Sequence, residues 1–105
     1  MQNKKILILG ASGQIGKELS IKLKDKLNLY CHARSEIAAT YFKENNINYI
    51  SGELKEKEII NEISASDIIF DLAAPNSGTL SQTKKFYKDR LELVIKNMKK
   101  DSKFI

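Results

Sequence analysis

The chain has 105 residues, 42% of them apolar and 30% charged, with one proline, five glycines, one cysteine and a formal net charge of +5. That length suits a single domain burying roughly 60 to 70% of the surface its unfolded form would expose, and the composition excludes a disordered or fibrous protein. Cys31 stands alone, so no internal disulfide is possible; with the lone His32 it falls short of a four-ligand zinc site, and no apolar run approaches the roughly 20 residues of a bilayer span.

Lys4 and Lys5 precede an apolar run of only Ile6, Leu7, Ile8 and Leu9. This is too short for the core of a secretory signal, and a cytoplasmic protein without membrane partners is expected. Residues 4–9 read as a buried strand, and residues 14 to about 24 as a helix with Ile15, Leu19 and Leu23 stacked at i, i+4 and i+8. Residues 28–32 form a second strand. Ser35 can cap a helix over residues 36–45, whose Ile37, Ala38, Tyr41 and Phe42 make an apolar stripe. Residues 47–51 are a third strand, and residues 56 to about 63 a helix with Ile59, Ile60 and Ile63 facing inward. The apolar run within residues 67–72 suits a parallel strand covered on both faces, ended at Pro75 because proline cannot donate to the ladder. Asn76, Ser77 and Gly78 are turn chemistry. A long helix over roughly residues 82–99 follows, with Tyr87, Leu91, Val94, Ile95 and Met98 at helical spacing, and residues 103–105 open a fifth strand on which the chain stops mid-element. Alternating short apolar runs and amphipathic stretches are the mark of α/β order.

Between the first strand and helix lie Gly10, Ala11, Ser12, Gly13, Gln14, Ile15 and Gly16, a G-x-x-G-x-x-G spacing. Gly10 can take a positive φ to turn the chain, Gly13 lets a backbone approach a pyrophosphate, and Gly16 lets the helix pack tightly on the sheet. Free N–H groups at the helix start then face an anion. Glycine-rich strand-to-helix turns also occur in proteins that bind no nucleotide, so the weight rests on a strand before, a helix after and further β/α units. A dinucleotide ligand is expected.

An acid about 20 residues past such a loop usually holds the ribose 2′-OH. Here the second strand ends on Arg34, a planar donor suited to the 2′-phosphate of NADP, with the Ser35 hydroxyl beside it. NADP is favoured over NAD; the alternative is an Arg34 that points to solvent. Glu53 and Leu54 after the third strand can receive the adenine edge and face. Leu72, Ala73 and Ala74 after the fourth supply small or apolar side chains beside the nicotinamide ribose.

In this order the residues resemble the short-chain dehydrogenase/reductase superfamily, in its extended and atypical branches: sugar-nucleotide epimerases and dehydratases, and NmrA-like or isoflavone-reductase-like proteins. Gly10 to Gly16 match that family's phosphate loop, and Ala33, Arg34 and Ser35 the NADP-type end of its second strand. Ser51, Gly52, Glu53 and Leu54 resemble its Gly-Asp-Leu, and Asp71, Leu72, Ala73 and Ala74 its His-Leu-Ala-Ala. The resemblance implies a doubly wound parallel α/β sheet of Rossmann type, strand order 3-2-1-4 with the start of a fifth strand. It further implies that residues 1–105 are the N-terminal cofactor-binding part of a longer domain, with a missing C-terminal segment or an oligomer partner completing the sheet. The implied cofactor-binding residues are Gly10, Ser12, Gly13, Gln14, Ile15, Gly16, Arg34, Ser35, Glu53, Leu54, Leu72, Ala73 and Ala74.

Departures from the family pattern are Glu53 for Asp, Asp71 for His, and no Tyr-x-x-x-Lys: four residues after Tyr30, Tyr41, Tyr49 and Tyr87 stand Arg34, Asn45, Glu53 and Leu91. The family places that proton-transfer pair beyond the fifth strand, so no catalytic residue is expected here. The reading is therefore the dinucleotide-binding portion of an NADP(H)-dependent oxidoreductase or epimerase, with a non-catalytic NADP(H)-binding or redox-sensing module as the alternative. A nucleic-acid face of Lys84, Lys85, Lys88, Lys96, Lys99 and Lys100 is interrupted by Asp89 and Glu92 and suits the solvated side of a helix better. Cys31 and His32 as a nucleophile pair fail on geometry, since neighbours along a strand point to opposite faces.

Overall fold

The elements, in chain order, are β1 (Lys5–Leu9), α1 (Gln14–Leu23), β2 (Asn28–Ala33), α2 (Thr40–Glu44), β3 (Tyr49–Ser51), α3 (Lys57–Ala65), β4 (Ile68–Asp71), α4 (Leu80–Asn97) and β5 (Lys103–Phe104). The computed structural model describes residues 4–73 and 78–105. Ala74, Pro75, Asn76 and Ser77, expected to carry the end of the fourth strand and its turn, lie outside the described residues.

Ile6, Leu7, Ile8 and Leu9 are all buried, so β1 has no polar face and needs a layer on each side. It pairs in parallel with β2 and with β4, inside a five-stranded parallel sheet of order β3-β2-β1-β4-β5. Alternation along the strand divides the core. Ile6 and Ile8 join Leu29, Cys31, Ala33 and Phe42 under α1 and α2, while Leu7 and Leu9 join Ile59, Ile63, Ile69 and Val94 under α3 and α4. This is the expected doubly wound α/β sheet, with β5 in place beyond β4. No helix among the described residues is long and apolar enough to cross a membrane.

Several expected apolar faces are rotated. In α1 the inward residues are Gly16 and Ser20, with Leu19 and Leu23 partly buried, whereas Ile15 is 73% exposed. The helix starts so close to the loop backbone that only a glycine fits beneath it, which turns Ile15 to the flank. The second helix is shorter than expected. Ser35 does cap, accepting the Ala38 N–H at 3.2 Å, but residues 36–40 wind with i→i−3 bonds from Ala39 to Glu36 and from Thr40 to Ile37. That tighter winding aligns Ala39 with Phe42 toward the core and leaves Ile37 87% exposed. The third strand is Tyr49–Ser51 rather than residues 47–51, although Ile47 is still buried. In α4 the expected single stripe is split: Val94 is buried and Met98 partly so, while Tyr87, Leu91 and Ile95 are exposed.

Ile15→Gln and Ile37→Gln should each leave stability within about 0.5 kcal/mol of the unmutated chain. Phe42→Ala should cost about 3 to 5 kcal/mol, read as a lowered midpoint in urea unfolding.

Candidate functional site

After β1 the chain crosses to β2 on one side, and it later returns to β4 on the other, so the loops following β1 and β4 part above the sheet. Open α/β sheets bind ligands in the crevice this reversal leaves. A cleft of about 430 Å³ lies here. Gly10, Ser12 and Gly13 line it from the loop after β1, and His32, Arg34, Ser35 and Ala38 from the end of β2 and the turns beyond it. Glu53 and Leu54 follow β3, Leu72 and Ala73 follow β4, and α4 contributes Phe86 and Arg90.

The loop glycines answer to different constraints. Gly10 has φ +63°, and a Cβ on it would stand 2.5 Å from the Ala73 Cβ. Gly16 admits no Cβ because the Ala11 carbonyl occupies the space. Gly13 meets nothing within 4 Å. Its surroundings are open on the cleft side, at the N-cap of α1. No side chain caps that helix and no acid lies in its first turn. Its first i→i−4 bond runs from the Lys17 N–H to the Gly13 carbonyl at 3.0 Å, so the N–H groups before Lys17 have no intrahelical acceptor. The N-terminus of α4 is closed by contrast: Thr79 accepts from the Gln82 N–H and the Gln82 side chain accepts from the Thr79 N–H, a complete capping box.

His32, 3% exposed, lies beneath the loop. Its Nδ1 accepts the Gly10 N–H at 3.1 Å and its Nε2 is 2.8 Å from the Gly52 carbonyl. An imidazole accepting at Nδ1 carries its proton on Nε2, which donates to Gly52. Burial holds its pKa below the ordinary histidine value. Cys31 points to the opposite layer, where burial pushes its thiol up to about 12, leaving no thiolate for nucleophilic chemistry at neutral pH.

Asp71, at the end of β4, accepts from Arg90 Nε at 2.9 Å and from Arg90 Nη2 at 2.7 Å, and also from the Ala73 N–H at 3.1 Å. Both side chains of the pair are 13% exposed. The fork of Arg90 thus ties α4 to the strand end and sets the rotation of the helix, so that Tyr87 and Leu91, an i, i+4 pair on one flank of it, face out. Phe86, one turn earlier, lies 5.3 Å from the guanidinium.

Of the residues expected to bind a cofactor, Gly10, Ser12, Gly13, Arg34, Ser35, Glu53, Leu54, Leu72 and Ala73 meet around the one cleft. Gly16 lies under the helix as a packing residue, and Gln14 and Ile15 are exposed without lining the cleft; the Gln14 amide donates to Glu18. Ala74 lies outside the described residues. Arg34 is exposed and has no ion-pair partner among the described residues. Sequence reasoning missed His32, Ala38, Phe86 and Arg90. The available signal was Asp71 at a strand end together with Phe86 and Arg90 one turn apart on a following helix.

Comparison with known proteins gives a consistent picture. The sequence pattern of the NAD dependent epimerase/dehydratase family matches residues 6–96. No curated protein sequence matches the chain. Among solved structures, one described as an NAD-dependent epimerase/dehydratase from Bacillus halodurans aligns with TM-score 0.70 and 17% identity, over 96% of this chain and 49% of that one. The terminal R domain of the myxalamid PKS-NRPS biosynthetic pathway aligns at TM-score 0.67 and 18% identity, over 98% and 34%. UDP-N-acetylglucosamine 4-epimerase from Methanobrevibacter ruminantium M1 aligns at 0.64 and 19%, over 91% and 33%. At these identities the likeness is one of fold. The chain spans half or less of the length of each.

Gly16→Ala should cost about 1 to 3 kcal/mol in urea unfolding, whereas Gly13→Ser should leave stability unchanged or raise it by up to about 1 kcal/mol through capping α1. Arg90→Met, which strands the Asp71 carboxylate, should cost about 2 to 4 kcal/mol, and the added change Asp71→Leu should recover part of that loss.

Proposed function

The chain belongs to the NAD dependent epimerase/dehydratase family, and from that premise we propose that it is the dinucleotide-binding portion of an NADP(H)-dependent oxidoreductase or epimerase. The observation that carries this reading is the uncapped N-terminus of α1 opening onto the cleft at the strand-order reversal. The family supports a nicotinamide dinucleotide; the choice of NADP rests on Arg34.

In this reading the N–H groups at the start of α1 receive the pyrophosphate, with Gly13 giving the room for close approach and the Ser12 hydroxyl a further donor. The helix dipole contributes only about 0.3 to 2 kcal/mol to such an anion, so contacts along the rest of the ligand must supply most of the affinity. Arg34 and Ser35 hold the 2′-phosphate, a charged hydrogen bond of about 1.5 to 3 kcal/mol and hence roughly ten- to a hundredfold in selectivity. Glu53 and Leu54 take the adenine, and Leu72 and Ala73 line the path toward the nicotinamide ribose. A bound nicotinamide supplies hydride exchange. The proton-transfer residues and the substrate site belong, in this proposal, to a part of the domain beyond residue 105.

Titration of the 105-residue chain with NADPH and NADH at fixed salt should show NADPH preferred by about ten- to a hundredfold. Arg34→Ala should remove the preference while leaving NADH affinity unchanged. Equal affinity for the two cofactors in the unmutated chain would refute the NADP assignment, and binding of neither would refute the dinucleotide reading.

A further inference from the structure

A histidine buried on a strand of an otherwise largely apolar layer calls for a reason, because a leucine would fill the same space without hydrogen-bonding demands. β2 runs between β1 and β3, so a side chain from its end can reach the loops on both sides. His32 does so, joining the Gly10 N–H to the Gly52 carbonyl, while its own backbone carbonyl accepts the Ala11 N–H at 2.8 Å. Gly10 and Gly52 both sit at positive φ, +63° and +146°, where the chain turns out of the sheet. The imidazole therefore holds together two turns that line the cleft from either side. An apolar replacement would leave a donor and an acceptor unpaired beneath the phosphate loop.

We propose that His32 is the positioning residue of this cleft: a neutral imidazole, proton on Nε2, that braces the phosphate loop against the β3 turn and makes dinucleotide binding sensitive to its protonation. The assignment rests on the dinucleotide reading above and adds a residue and a pH dependence to it. Protonation places an Nδ1–H against the Gly10 N–H, two donors facing each other, and the brace opens. The charged groups around the ring are Arg90 of α4, Asp71 of β4 and Glu53 of the turn after β3. Burial is the largest influence and keeps the ring neutral, the Gly52 carbonyl and the two carboxylates oppose it, and Arg90 adds to it. The unfolded chain takes up the proton first. Stability contributed by His32 is thus complete above its ordinary value of 6.5 and is lost as pH falls from there toward the lowered folded value.

The test combines nitrogen NMR of the imidazole with NAD+ titrations from about pH 5 to about pH 8, the range in which histidine titrates. NAD+ is the probe because the 2′-phosphate of NADP+ itself titrates near about pH 6. The expected result is an Nε2–H tautomer at neutral pH and an NAD+ affinity falling about five- to tenfold as His32 protonates. His32→Phe, which offers neither an acceptor to Gly10 nor a donor to Gly52, should bind NAD+ about tenfold more weakly and show no break on the acid side. His32→Gln, whose amide carries both an acceptor and a donor but does not titrate, should bind more tightly than His32→Phe and likewise show no acid-side break. Affinity unchanged through the His32 titration overturns the proposal, as does an Nδ1–H tautomer or a folded His32→Phe that binds as tightly as the unmutated chain. Should a variant fail to fold, the tautomer and pH profile of the unmutated chain decide. An unmutated chain that binds neither NAD+ nor NADPH overturns the dinucleotide reading, and the role of His32 in binding with it.

Discussion

Ile6, Leu7, Ile8 and Leu9 are buried on both faces of β1, and the remaining elements take their places from that constraint. A strand with aliphatic residues at consecutive positions needs a helical layer above and another below, and its two edges need neighbours of their own. The chain supplies β2 and then β3 on one side, and β4 and then β5 on the other. Having filled both sides of β1, it leaves the loops at the strand ends diverging. The crevice is thus a by-product of how a central strand is satisfied, and the residues that line it come from every loop at that end of the sheet.

Elements whose identity depends on local pattern were legible in the residues. The buried runs of β1 and β4, the glycine spacing before α1 and the start of β5 all follow from hydrophobic period and turn chemistry, while the order of strands came from the family resemblance alone. What was not legible is the rotation of helices about their own axes. Ile15, Ile37 and Tyr87 each belong to a plausible apolar stripe, and each is turned outward by something only the folded chain supplies: the Ala11 carbonyl under Gly16, the tight winding after Ser35, and the fork of Arg90 on Asp71. Periodicity fixes which residues share a face but not which of two faces a neighbour's polar group will claim.

The same distinction separates the parts of the site. The glycines and Arg34 advertise themselves by spacing and by position at a strand end. His32 and Arg90 do not, since their partners, a backbone N–H, a backbone carbonyl and a carboxylate nineteen positions distant, come together only through the sheet order. Both are polar groups committed to loop ends rather than exposed to solvent. They bear on the cleft through the geometry of the turns and helix they fasten, one at the β1 and β3 turns and the other at β4 and α4.

The contact between Gly10 and Ala73 carries a consequence for inheritance. With a Cβ at position 10 standing 2.5 Å from the Ala73 methyl, the loop after β1 and the start of the segment after β4 share a wall, and position 10 depends on where that wall stands. The dependence is one-sided. Removing the methyl of Ala73 would not clear the space, because the Ala73 Cα and N would stand 2.7 and 2.8 Å from that Cβ, and a side chain at position 10 would in addition have to adopt φ +63°, a penalty of about 1 kcal/mol or more that no change at position 73 relieves. Position 10 therefore has no partner mutation that frees it, so lineages of this chain should keep the first glycine even where position 73 changes.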